Sequence, residues 1–190
     1  MRDAGIGRVL VASLHQGIAD VLPARLGFYE SWLHAEGLRD GTIGLAPLYA
    51  VLSFLRQEGA PYETITRSAG EYAAEWTVES MGPFERRLIR SSPAWLRPRL
   101  VLRLAKRLVQ DTFRSGRLTF RLKKGVANVE LRDSPFCNVR EPFPSSLCGF
   151  YVAALSRLCK LFDVPSRVEV VSCRGAGERA CVMTMTVGGT

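Results

Sequence analysis

RLTFRLKKGVANVELR, residues 117–132, is the stretch that decides the fold. Leu118, Phe120 and Leu122 alternate with Arg117, Thr119 and Arg121. After Lys124-Gly125, Ala127, Val129 and Leu131 alternate with Asn128 and Glu130. A period of two on both sides of a glycine-containing turn predicts an antiparallel hairpin with one apolar face. Toward the C-terminus, residues 133–145 form a loop with three prolines and Cys137. Ser145 or Ser146 can then cap a helix whose apolar stripe is Cys148, Val152, Leu155, Cys159 and Phe162. Two further strands are expected near 167–173 and 180–187, joined by the turn Arg174 to Glu178. Toward the N-terminus the period becomes helical. Val11, Leu14, Ile18 and Val21 stop at Pro23; Leu26, Tyr29 and Leu33 suggest a short helix ending before Gly37; Leu48, Val51, Leu52 and Leu55 make a third. Pro61 opens another helix with Ile65, Ala69, Tyr72, Ala73 and Trp76 on its buried face. Residues 81–93, with Gly82, Pro83 and Pro93, read as irregular, and a long helix runs from about Trp95 to Phe113. The expectation is α+β: an antiparallel sheet of about four strands, two hairpins, against a helical layer. It is one domain over 1–190, helical in 1–113, with strands and a helix in 116–187.

The chain has 190 residues, 47% apolar and 23% charged, which excludes a disordered chain and supports a sizeable core. Gly41 to Leu55, an uncharged run that no other exceeds in length, is too short for a membrane span. Five cysteines without an export signal point to reduced thiols in the cytoplasm. The formal net charge of +8 is concentrated: residues 85–124 hold thirteen basic side chains and two acids, Glu85 and Asp111. Arg99, Arg103, Lys106 and Arg107 share one side of the long helix, opposite Leu100, Val101, Leu104 and Leu108. A solvated face is the plain reading. An anionic membrane surface, with the protein peripheral to it, or an acidic protein partner through residues 86–124 is the functional one. No nucleic-acid motif or aromatic interleaving is present, so nucleic acid is not expected.

CRGAGERAC, Cys173 to Cys181, places two thiols at opposing ends of a hairpin, and Cys148 near the preceding helix start could join them. Thiolates suit zinc, which takes about four ligands; Cys137, Glu169, Glu178 or water could be the fourth. Plain burial of small apolar residues is the alternative. Ala69, Gly70, Ala73 and Ala74 leave room for a pocket lined by Tyr72, Ala73, Trp76, Phe113, Phe120 and Tyr151, unless neighbouring helices fill it. Catalysis finds little support. His15 and His34 read as surface or helix-end residues, Glu71 and Glu75 as helical charge pairs, and no nicotinamide or flavin fingerprint is present.

CGFYVAALSRLCKLFDVPSRVEVVSCRGAGERAC, residues 148–181, resembles the end of vinyl-4-reductase domains, with TITRSAGEYAAEW and SPFC extending the likeness over about 45–187. That family includes an accessory protein of bacteriochlorophyll synthesis, hydrocarbon-binding proteins and phenol-sensor domains; a vesicle-tethering subunit that holds an acyl chain has a related fold. The resemblance implies an apolar ligand pocket, a homodimer and, as in the phenol sensors, zinc held by three cysteines and a glutamate. Cys173 and Cys181 match two ligands, and Cys148 matches the third with a one-residue offset. The glutamate's position is Val170; its neighbour Glu169 completes the expected set of Cys148, Cys173, Cys181 and Glu169. The expected function is a non-catalytic binding or sensing domain for a small apolar ligand such as a hydrocarbon, lipid or tetrapyrrole. The alternatives are a tetrapyrrole 4-vinyl reductase or its accessory protein, and a lipid-holding scaffold.

Overall fold

The computed structural model describes residues 5–33 and 44–188. The first half is helical: α1 (Arg8–Val21), a 3-10 turn (Pro23–Arg25), α2 (Leu26–Glu30), α3 (Leu45–Gln57), α4 (Ala60–Glu79), α5 (Pro83–Ser91) and α6 (Arg97–Thr112). The second holds β1 (Arg117–Lys123), β2 (Val126–Arg132), α7 (Gly149–Leu161), β3 (Ser166–Ser172) and β4 (Cys181–Val187). The architecture is α+β, with one open antiparallel sheet packed against helices.

The first hairpin forms as its alternation dictates, with Leu118 opposite Leu131 and Phe120 opposite Val129. Lys124 and Gly125 both adopt positive φ, 47° and 76°, the pair of left-handed residues that lets a two-residue turn follow the strand twist. Strand order is β1-β2-β4-β3, so the two hairpins join through β2 and β4. Their register sets Leu131 opposite Cys181 and Val129 opposite Met183. Ala127, Val129, Leu131, Cys181, Met183 and Met185 are buried on the sheet's inner face, against α6 and α7.

Helix α4 lies between α1 and α7. Its small residues fix that arrangement. A Cβ on Gly70 would stand 2.1 Å from the Phe150 carbonyl oxygen of α7, and one on Gly17 of α1 would stand 2.8 Å from the Ile65 oxygen. Helices approaching this closely leave no room for side chains between them, and Ala69 and Ala73 are fully buried there.

Three expectations are corrected. Residues 81–93 contain a regular helix: Pro83 stands at the first turn of α5, where its missing N–H costs nothing. Neither serine caps α7 directly; Cys148 is the N-cap residue, and its N–H donates to Ser146 Oγ at 3.2 Å. Tyr72 and Trp76 do not belong to α4's buried face. They stack, ring centroids 5.6 Å apart, on its half-buried side, and the Tyr72 hydroxyl donates to Asp20 at 2.7 Å. His15 pairs at the surface with Glu30 at 2.8 Å; His34 and the stretch up to Gly37 lie outside the described residues. Among the described residues no helix is long and apolar enough to cross a membrane.

Candidate functional site

A loop, a helix N-cap and the two ends of one hairpin connection deliver four thiols to one buried point. Cys137 comes from the loop after β2, Cys148 from the N-cap of α7, Cys173 from the end of β3 and Cys181 from the start of β4. Their sulfur atoms all lie within 4.8 Å of one another, and all four residues are buried. Cys137 Sγ is 3.6 Å from both Cys148 Sγ and Cys173 Sγ, and the Cys148–Cys173 separation is 3.4 Å. Four sulfurs about 2.3 Å from a common centre stand about 3.8 Å apart at tetrahedral geometry, so this set matches the dimensions of a tetrathiolate metal site.

The local backbone explains why the thiols meet. The β3–β4 connection turns through a short 3-10 segment, Arg174–Ala176, and closes at Gly177 with φ 94°. The Cys173 carbonyl accepts from Ala176 and Glu178 at 3.0 and 3.2 Å. Gly175 is closely packed: a Cβ there would meet Leu147 Cδ1 at 2.7 Å and Cys137 Cα at 3.3 Å. Its carbonyl accepts from the Phe143 N–H at 2.7 Å, which clasps the proline-rich loop onto the hairpin and brings Cys137 in.

The electrostatics favour thiolates at the hairpin. Hydrogen bonding from Cys137, Cys148 and Cys181 draws the Cys173 thiol far below its usual range, with the Leu147 N–H donating to its sulfur at 3.3 Å. Cys181 is lowered by Cys137 and Cys148, and the Arg174 N–H donates to it at 3.4 Å. Cys148 is pushed up, first by its hydrogen bond with Cys137. Four thiolates so close repel strongly, and a cation at their centre is what lets all four ionise. The fifth cysteine, Cys159, is unlike them: it packs in the core 3.6 Å from Met185 Sδ, and burial raises its thiol to about 11.

Of the residues named from the sequence, Cys148, Cys173 and Cys181 lie together. Glu169 does not join them, because β3 alternates: Val168 and Val170 face inward, opposite Met185 and Met183, while Glu169 faces solvent and pairs with Arg167 at 2.7 Å. Cys137 occupies the fourth corner. The sequence offered it as one of four candidates for that place and as the end of SPFC, but a loop has no period to position it.

Clefts flank the cluster. One of about 330 Å3 is lined by Leu45, Tyr49, Phe113, Ser134, Cys137 and Arg174, among others. A second of about 230 Å3 reaches Cys137 and Cys181 between Arg132, Arg174 and Arg179. The six pocket residues expected from the sequence are not gathered into one cavity. Tyr72 and Trp76 sit on α4's outer side, Ala73 is sealed by neighbouring helices, Phe120 is half-buried on edge strand β1, Phe113 borders the larger cleft, and Tyr151 is buried beside Phe136 and Phe150. Small residues on α4 signalled helix contact rather than space.

Buried polar atoms lie near the cluster, and of the residues that carry them Tyr151 was expected from the sequence as a pocket residue. The hydroxyls of Tyr62, Tyr151 and Ser134 and Nη1 of Arg56 are buried and lie as two facing pairs, Tyr62 with Arg56 and Tyr151 with Ser134, neither of which closes to good hydrogen-bond geometry. Burial raises both tyrosine hydroxyls well above their usual range, and the nearby Cys137 and Cys148 add to this in each. Buried polar groups in folded proteins nearly always have partners, and a small shift within each pair, or one bridging water, would supply them here.

No family model matches the chain, and no curated protein matches it. Solved structures share its fold. The phenol-responsive sensory domain of the transcription activator PoxR, solved with phenol, is 13% identical over 75% of this chain and 74% of that one, with TM-score 0.51. An Fe(II) unliganded H-NOX protein from K. algicida is 8% identical over 97% and 98%, with TM-score 0.62. An H-NOX protein from S. oneidensis in the Fe(II)NO ligation state is 9% identical over 97% and 100%, with TM-score 0.56. At these identities the likeness is one of fold.

Proposed function

We propose that this chain is a non-catalytic sensing domain of vinyl-4-reductase type, in which a structural zinc ion held by Cys137, Cys148, Cys173 and Cys181 shapes the wall of a small-ligand site. The carrying observation is the sulfur tetrahedron, buried, with two backbone N–H donors on its sulfurs. Soft thiolates select zinc over hard cations, and four of them leave no open coordination position for catalysis. The ligand reading rests on the cleft beside Cys137, lined by Ser134, and on the buried Tyr62–Arg56 and Tyr151–Ser134 pairs, whose hydrogen bonds are not closed. An apolar body with one hydroxyl group suits such a site, and phenol in the PoxR domain is an example of that chemistry. The Fe(II) of the H-NOX proteins is not carried over: the donor cluster here is all sulfur, and His15 is engaged with Glu30 at the surface.

Elemental analysis of protein purified without chelator tests the metal, with about one zinc per chain expected and none in Cys137→Ser or Cys173→Ser. Cobalt substitution should give the strong visible bands of a tetrathiolate. Calorimetry with phenol tests the ligand. Metal-free wild-type protein sinks the zinc reading, and zinc-loaded protein indifferent to phenol and its alkyl derivatives sinks the ligand reading.

A further inference from the structure

Helices α5 and α6 form a surface that joins exposed large apolar side chains to a cluster of basic ones. They pack as an antiparallel pair: Glu85 near the start of α5 reaches Arg107 near the end of α6 at 3.6 Å, and Leu88 faces Leu100 across a groove of about 200 Å3. Three large apolar side chains stand in solvent here. Phe84 and Leu88, one turn apart on α5, are 79% and 54% exposed, and Trp95 at the bend between the helices is 70% exposed. Around them Arg87, Arg90, Arg99, Arg103 and Lys106 are exposed, and among the described residues none of the five meets a carboxylate. The nearby acids, Glu85 and Asp111, both pair with Arg107.

From this surface we infer that the α5–α6 pair docks the protein onto an anionic lipid bilayer. Aromatic and leucine side chains set among arginines are the composition of a helix that lies in the headgroup region, rings in the acyl boundary and guanidinium groups on the phosphates. Charge complementarity selects the occupant. A second copy of the chain, packed across a two-fold axis, would set the same five unpaired cations against each other. A purely electrostatic partner uses the arginines and leaves Phe84, Leu88 and Trp95 wet. A bilayer of anionic lipid satisfies both.

Vesicle sedimentation of the full chain tests this. Wild-type protein should bind vesicles of three parts phosphatidylcholine to one part phosphatidylglycerol at low salt, bind phosphatidylcholine vesicles far less, and be released by 0.5 M salt (a Debye length of only about 4 Å). Arg99→Glu/Arg103→Glu should weaken binding by about 30-fold or more, from roughly 1 kcal/mol per basic residue near the surface. Phe84→Ser/Trp95→Ser should weaken it at unchanged slope in salt, and the blue shift of tryptophan emission on binding should shrink in Trp95→Phe. Equal zinc content and melting temperature in each variant tie the losses to the surface. Equal binding to neutral vesicles, or no binding at low salt, overturns the proposal. So does binding that ignores Phe84→Ser/Trp95→Ser and is matched by soluble polyglutamate, which identifies an acidic protein partner instead.

Discussion

Two parts of this molecule are made from the smallest side chains it has, fully buried, and they do opposite things. On α4, Ala69, Gly70 and Ala73 are consumed by contact: what lies across from Gly70 is the backbone of α7, and across from Gly17 the backbone of α4 itself. At the end of the sheet, Cys137, Cys148, Cys173 and Cys181 are as buried, yet what lies across from each sulfur is another sulfur. In the first case small size buys proximity between helices and leaves nothing over. In the second it leaves a polarisable, ionisable centre. Burial alone does not distinguish a seam from a site; the chemistry of the facing surface does.

The largest effect that sharpens this contrast comes from the metal. Stripping it, or Cys173→Ser, should cost about 5 kcal/mol or more, because structural zinc contributes its binding energy to the fold. Thermal unfolding of zinc-loaded and chelator-treated protein measures it, and coincident curves would falsify a structural role for the ion. Next in size, Gly70→Val should destabilise by about 3–4 kcal/mol while leaving zinc bound, since a Cβ placed 2.1 Å from the Phe150 oxygen forces α4 and α7 apart. Ala73→Trp, in the same seam, should cost more than the ~1–3 kcal/mol typical of overpacking, because no cavity receives the ring. Wild-type stability in that variant means the seam holds space after all.

The smallest effect belongs to Cys159, a cysteine that behaves like the seam. Cys159→Ala should cost about 1–2 kcal/mol and leave zinc stoichiometry unchanged. Its thiol, raised to about 11 from 9.0 by burial, favours the fold fully below pH 9 and loses that contribution as pH rises from 9 to 11. Denaturation midpoints across that range in wild type and Cys159→Ala should converge at the alkaline end; parallel curves contradict the assignment.

The sheet half of the molecule was legible because its signals are local. Alternation, Lys124-Gly125 and the CRGAGERAC turn each constrain a few neighbouring residues, and strand pairing follows from them. Cys137 was legible only as one candidate among several, because it reaches the cluster through the Phe143–Gly175 hydrogen bond, a contact between segments with no shared period. Glu169 failed for the reason alternation provides: one step along β3 reverses the face. Helix α5 was hidden by Pro83 and Pro93, which punctuate its ends rather than interrupt it, and by having only Ile89 buried. Tyr62 was missed because it reads as an ordinary first-turn residue after Pro61, and nothing local shows that its hydroxyl is sealed near four sulfurs.

The sheet is continuous through one ladder, β2 against β4, and Leu131–Cys181 is the last rung of it. Were that ladder to part, each hairpin would present a fresh row of unpaired N–H and C=O groups flanked by Val129 and Met183, a template for pairing with other chains. Cys181 and Cys137 belong to opposite sides of that junction, so the proposed ion, once bound between them, would act as a rivet. On that proposal, removing the ion should show itself as self-association through strand edges, measurable as light scattering of chelator-treated protein below its melting temperature.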